Sequence, residues 1–152
     1  MKTIGSIDEA IAAAGTELGV SQWFEVDQER ISQFADVTLD HQWIHVDTER
    51  AKTESPYGTT IAHGFLTLSL IPGLSKGNYR VDNAKMGLNY GLNKVRFLAP
   101  VKAGSRVRVR SEMAEADKIG DDTVNLLVRH TVEIDGSEKP AAVVEMISRW
   151  IF

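Results

Sequence analysis

The first half of the chain is patterned for helices and the second half for strands. Residues Ile7 to Leu18 are rich in alanine and free of proline, which predicts a helix. A short run from Gln22 to Val26 suits a strand. Asp27 stands where a helix N-cap is expected, with Glu29 in the first turn, where the helix dipole favours negative charge. Ile31, Phe34 and Ala35 give that helix an apolar stripe. The pattern breaks near Thr38. Asp47 then predicts a second N-cap, opening a short helix through Arg50 and Ala51. The stretch from Thr38 to Val46 between the two helices reads as a loop, and Ser55-Pro56-Tyr57-Gly58 as a turn.

The segment Ile61 to Leu74 is apolar on all sides, which predicts a helix buried on every side at the centre of the fold. Beyond it the pattern alternates. Val107 and Val109 interleave with Arg106, Arg108 and Arg110, and Val124, Leu126, Val128, Val132 and Ile134 share one parity. These are half-buried antiparallel strands, with turns at Gly120-Asp121 and Asp135-Gly136. The last segment, Ala141 to Phe152, is apolar on both faces for much of its length and so belongs inside the sheet. From Met86 to Phe97 the apolar parity slips at Gly91, as a β-bulge requires. Helices followed by strands give an α+β fold, a long antiparallel sheet wrapped around a central helix. One open sheet leaves edges exposed, so a homodimer formed through an edge is expected.

Composition narrows the function classes. The 152 residues suit one domain spanning 1–152, and 43% hydrophobic with 25% charged residues suits a folded core. There is no cysteine, so disulfides, thiolate metal sites and cysteine nucleophiles are excluded. A net charge of −4 gives no electrostatic footprint for nucleic acid. The amino terminus reaches Asp8 and Glu9 without an apolar stretch, and no segment has the length of a membrane span. The expected location is the cytoplasm, with no nucleic-acid or membrane partner.

Chemistry-bearing residues concentrate between 36 and 47, where Asp36, Asp40 and Asp47 accompany His41 and His45. A carboxylate and an imidazole, here Asp40 and His45, can hold one water between them for proton transfer. The same spacing also suits an Asx turn with a structural histidine. His41 and His45 stand four apart, but no third histidine follows at ligand spacing, so no metal is expected. Gly64 comes early in the apolar helix. Its amide would be unpaired there and able to hold an oxyanion, or the glycine serves close packing alone. His63 beside it reads as a packing or hydrogen-bonding residue and is also a candidate for substrate binding. Asn89, Asn93, Lys94 and Arg96 surround the bulge and could receive the phosphates of a carrier, or form a solvated strand face. His130 lies on the apolar parity of its strand and reads as a satisfied core histidine. No Ser-His-Asp order, phosphate loop or dinucleotide fingerprint occurs.

Three segments together resemble a known family. Asp40-His41-Gln42-Trp43-Ile44-His45 is similar to the G-D-x-N-P-[LIV]-H motif of MaoC-like, R-specific enoyl-CoA hydratases (hydratase 2). Ile61-Ala62-His63-Gly64-Phe65 resembles the A-H-G start of that family's central helix. Asn93-Lys94-Val95-Arg96-Phe97 with Pro100-Val101 resembles its R-F-x-x-P-V strand. The chain looks most like short, single-domain actinobacterial 3-hydroxyacyl-thioester dehydratases, with kinship to the NodN group. Leu39 departs from the family's glycine, and Gln42-Trp43 from its Asn-Pro. The resemblance implies a hot-dog fold and reversible hydration of 2-enoyl-CoA or acyl-carrier thioesters to (R)-3-hydroxyacyl thioesters. It implies Asp40 and His45 as the water-activating pair, the Gly64 amide as oxyanion donor, and a thioester arm passing near Arg96. It implies no cofactor.

Two other readings stay open. A hot-dog thioesterase would need a carboxylate on or near the central helix, which offers only His63, Thr67 and Ser69. A non-catalytic acyl-thioester-binding module would need neither Asp40 nor His45.

Overall fold

A computed structural model describes all 152 residues, Met1 to Phe152. The first half holds β1 (Lys2–Ile4), α1 (Ile7–Ala12), β2 (Thr16–Val20), β3 (Phe24–Val26) and α2 (Gln28–Thr38). Then come α3 (Trp43–Val46), α4 (Thr48–Glu54) and α5 (Gly64–Leu74). The second half holds β4 (Tyr79–Val81), β5 (Met86–Phe97), β6 (Ser105–Lys118), β7 (Thr123–Ile134) and β8 (Ala142–Ile151). No helix is long and apolar enough to cross a membrane.

The main sheet runs β2-β6-β7-β8-β5, antiparallel throughout, with β3 also paired to β6. β8 lies inside it, flanked by β7 and β5, as its two-sided apolar sequence requires. The alternation in β6 and β7 sorts the faces as expected. Val107, Val109, Val124, Leu126, Val128 and Val132 are all buried, while Arg106 and Arg108 point outward. Each such apolar side chain contributes roughly 1.5–3 kcal/mol on burial. The ladder between β5 and β8 shifts register between Asn89 and Gly91, the bulge anticipated at Gly91, and shifts again between Leu92 and Val95.

Helix α5 packs across the covered face of the sheet. Leu66 and Ile71 join Val107, Val109, Val132 and Val144 in one apolar cluster. This is the hot-dog arrangement, but two expectations about the helix need correction. It begins at Gly64, not Ile61, because Ile61 is drawn into a bridge with Lys102. Nor is it buried on every side within one chain, since Phe65 on its outer face is 69% exposed. β5, hydrogen-bonded only to β8, also exposes Met86, Leu88, Tyr90 and Leu92. The apolar surplus of the sequence is therefore left on an open edge.

The first predicted helix is shorter than its alanine content suggests. Ser6 and Glu9 cap α1 reciprocally: Ser6 Oγ accepts from the Glu9 amide and Glu9 Oε2 from the Gly5 amide. The helix ends at Ala12, and Gly15 at φ 75° turns the chain into β2. Leu18, read from sequence as the end of this helix, instead faces inward from a strand, in a cluster with Met113 and Leu126. Propensity lost here to the packing available along β6.

Candidate active site

Two capped helices deliver the loop that carries the candidate residues. Asp27 accepts from the Arg30 amide and Asp47 from the Arg50 amide, so both predicted N-caps form. Helix α2 runs to Thr38 and stops at Leu39, whose left-handed φ of 63° turns the chain sharply. The segment read as a loop from Thr38 to Val46 is thus partly helical: it contains the end of α2 and the single turn α3. Trp43 opens that turn where the related pattern has proline. The Arg50 guanidinium lies 4.3 Å from the Trp43 ring centroid, which ties α3 to α4.

His45 projects from α3 toward the start of α5 and is largely buried. Its Nδ1–H donates to the Ile61 carbonyl at 2.7 Å. A carbonyl only accepts, so that nitrogen carries the proton and Nε2 is left with a free lone pair. Burial holds the His45 pKa below the usual 6.5. The Ile61 bond and the Asp40 charge oppose that shift, and the neighbouring His63 adds to it.

His63 is the packing and hydrogen-bonding residue that the sequence reading expected. It occupies the N-cap position of α5 without a side-chain capping bond, is 3% exposed, and stacks on His45 with ring centroids 3.8 Å apart at 26°. The Phe34 ring packs against it, tilted, with centroids 5.1 Å apart. His63 Nε2–H donates to the Asp40 backbone carbonyl at 3.0 Å, and its buried Nδ1 has no protein partner. The Asp40 carboxylate lies 4.0 Å from His63 Nε2, 56% exposed, and accepts from the Gln42 amide at 3.4 Å. One atom each from Asp40, His45 and His63 falls within 4.8 Å of the others. Two hydrogen bonds of about 2.8 Å meeting at one water span about that distance.

The trio contains the residue types of a chelate, yet its geometry is that of a stack. His45 Nδ1 and His63 Nε2 are both engaged by backbone carbonyls, which leaves one free nitrogen on each ring. The spacing of His41 and His45 does not bring those two together either. His41 Nε2 pairs with the exposed Asp36 carboxylate at 2.8 Å on the surface.

Gly64 is the first residue of α5, so its amide has no intrahelical acceptor. A Cβ at this position would meet the Phe97 ring at 3.1 Å, tight enough that the ring must shift to admit a side chain. Beside it lies a cavity of about 350 Å³ lined largely by apolar residues, among them Ile61, Ala62, Phe97 and Val101, together with Thr67. None of Asn89, Asn93, Lys94 or Arg96 lines it. Arg96 alternates with Phe97 and therefore faces the other side of the sheet, where it donates to the Val95 carbonyl at 2.9 Å. Asn89 lies in a separate cleft with Pro72, Met146 and Trp150.

His130 is only half satisfied, against expectation. Its Nδ1 meets Ser111 Oγ at 3.0 Å, while Nε2 is buried without a partner. Gln28 and Thr60, which sequence reasoning passed over, hold His45 from behind. Gln28 Nε2 donates to the His45 carbonyl at 2.8 Å, and Thr60 Oγ1 donates to Gln28 Oε1. Nothing in the spacing of a lone glutamine and threonine 32 positions apart signals this.

Comparison with known proteins shows the family. The family model described as MaoC like domain matches residues 9–134. The chain is 52% identical over 151 residues to 3-hydroxyacyl-thioester dehydratase Z of Mycobacterium tuberculosis, covering 99% of each chain. It is 47% identical over 144 residues to nodulation protein N of Rhizobium leguminosarum bv. viciae, covering 94% of this chain and 89% of that protein. The R-hydratase PhaJ1 structure from Pseudomonas aeruginosa superposes with a TM-score of 0.69 at 22% identity, covering 89% of this chain and 79% of that one, a likeness of fold. The chain belongs to the MaoC-like dehydratase family.

Proposed function

We propose that the protein hydrates trans-2-enoyl thioesters of CoA or an acyl carrier reversibly to (R)-3-hydroxyacyl thioesters. The observation that carries this reading is the state of His45. Its Nδ1–H is committed to Ile61, so its free Nε2 can take a proton from a water shared with Asp40. The water oxygen bonds to C3 as its proton passes to Nε2, and the C2–C3 π pair moves to C2 and the thioester oxygen. The Gly64 amide, at the positive end of α5, would receive that enolate oxygen. The Asp40–His45 pair then returns a proton to C2 on the same face. Dehydration is the reverse.

We assign the apolar cavity beside Gly64 to the acyl group and the cytoplasm to the reaction. We also pair two copies through β5, which would cover its exposed apolar residues and supply partners for its free edge. In such a dimer Arg96 and Lys94 would be available to carrier phosphates from the interface side.

The test is loss of enoyl absorbance when purified protein meets crotonyl-CoA, with chiral analysis of the product. Asp40→Asn and His45→Gln should each lower kcat about a hundredfold or more. Release of free thiol would point to a thioesterase. Binding of acyl-CoA without turnover at any chain length would point to a binding module.

A further inference from the structure

We propose that Gln28 is a positioning residue for His45, acting through a closed ring of hydrogen bonds that fixes both the backbone and the imidazole of the candidate base. The proposal rests on the hydratase reading above.

The ring has three hydrogen bonds and one peptide link. Gln28 Nε2–H donates to the His45 carbonyl at 2.8 Å. Gln28 Oε1 accepts from the Thr60 hydroxyl. Thr60 is followed by Ile61, and the Ile61 carbonyl accepts from His45 Nδ1 at 2.7 Å. The two segments are also tied directly, because the Ile61 amide donates to the Ile44 carbonyl at 3.1 Å. The second Gln28 amide hydrogen reaches Ser32 Oγ at 3.2 Å, one turn along α2. The amide orientation is forced: the His45 carbonyl can only accept, so the nitrogen must face it and the oxygen must face Thr60.

The chemistry gives the ring a purpose. The turn α3 spans only Trp43 to Val46 and has no side-chain cap at its start, so it holds His45 weakly by itself. The His45 carbonyl would otherwise be one of the unpaired acceptors at the end of a short helix. Gln28 satisfies it, and through Thr60 sets where the Ile61 carbonyl stands. That carbonyl selects the Nδ1–H tautomer and so leaves Nε2 free. Thr60 is 1% exposed, so water does not compete for the far strut. Ala103 donates to the Thr60 carbonyl at 3.0 Å and anchors the ring to the segment leading into β6.

The test compares full-length wild type, Gln28→Leu and Thr60→Val by steady-state kinetics on crotonyl-CoA and by imidazole NMR of His45, assigned with His45→Gln. Gln28→Leu should lower kcat about ten- to a hundredfold with KM nearly constant, as misplacement of a reacting group does. The His45 Nδ1–H signal should give way to a mixture of tautomers, and its pKa should move further below 6.5 as the Ile61 bond that raises it weakens. Thr60→Val, which removes only the far strut, should show the same changes at smaller size. A Gln28→Leu protein with wild-type kcat, or with lost activity but an unchanged His45 tautomer, overturns the proposal. If Gln28→Leu does not fold, Thr60→Val decides, and unchanged kcat and tautomer there overturn it. Wild-type protein inert on thioesters would sink the hydratase reading instead, while the NMR would still report whether the ring holds His45.

Discussion

The imidazoles of His45 and His63 lie face to face, 3.8 Å between centroids, with their protons on opposite nitrogens. Burial disfavours a positive charge on His45, and the neighbouring His63 ring adds to that. The base is therefore neutral near physiological pH. Since a lowered pKa means the proton is taken up only at more acid pH, kcat/KM should stay flat through neutrality. Its acid limb should fall below the ordinary histidine value of 6.5, measured as a pH–rate profile on crotonyl-CoA. A limb at or above 6.5 would show that the titrating base is not His45 in this setting.

Leu39 holds a left-handed conformation, φ 63° and ψ 18°, at the end of α2, and its side chain is 83% exposed. A non-glycine residue pays about 1–2 kcal/mol for that backbone, and little apolar burial offsets it. Glycine there relieves the strain but costs some chain entropy on folding. Leu39→Gly should raise stability by about 0.5–1 kcal/mol in urea unfolding, with kcat close to wild type. A loss of stability would show that the Leu39 side chain has contacts that outweigh its backbone.

Gly64 and Phe97 form a close pair across the helix–sheet seam. Gly64→Ala should push its methyl into the ring, narrowing the cavity and shifting the amide meant for the thioester oxygen. We expect a loss of about 1–3 kcal/mol in stability and a larger proportional loss in kcat/KM. Adding Phe97→Leu makes room. The double variant should recover stability by more than about 0.5 kcal/mol over additivity, measured in a double-mutant cycle.

His130 supplies a stability prediction independent of catalysis. Asn78 Nδ2 donates to Ser111 Oγ at 2.8 Å, so the Ser111 hydrogen turns to His130 Nδ1 and the imidazole proton sits on the unpartnered Nε2. Burial lowers its pKa from 6.5 to about 4. Between those values the unfolded chain binds a proton that the native state refuses. Stability should therefore fall as pH drops from 6.5 to about 4, by roughly 3 kcal/mol in total. His130→Gln keeps an acceptor for Ser111 without titrating, so its melting temperature should fall less steeply over that range. An identical slope would assign the acid sensitivity to other groups.

Much of this protein was legible in one dimension. The alternation in β6 and β7 fixed their buried faces, because a strand's side chains have a period of two and cannot be shared between faces. Asp27 and Asp47 announced two helix starts because capping is a contact between residues three apart. The slip at Gly91 announced a bulge for the same local reason. The spacing of Asp40 and His45, set beside the family motifs, singled out the candidate pair.

Tertiary structure decided the rest. Alanine content could not reveal that the first helix stops at Ala12, since Leu18 is placed by packing against Met113, far along the chain. A histidine beside a glycine carries no sign that its ring will stack on another histidine 18 positions earlier. Gln28 and Thr60 acquire meaning only where α2, α3 and the segment before α5 converge. The sequence by itself determined which groups could do the chemistry. Which nitrogen of His45 is free, and what holds it so, follows from hydrogen bonds between distant segments, which a linear pattern does not encode.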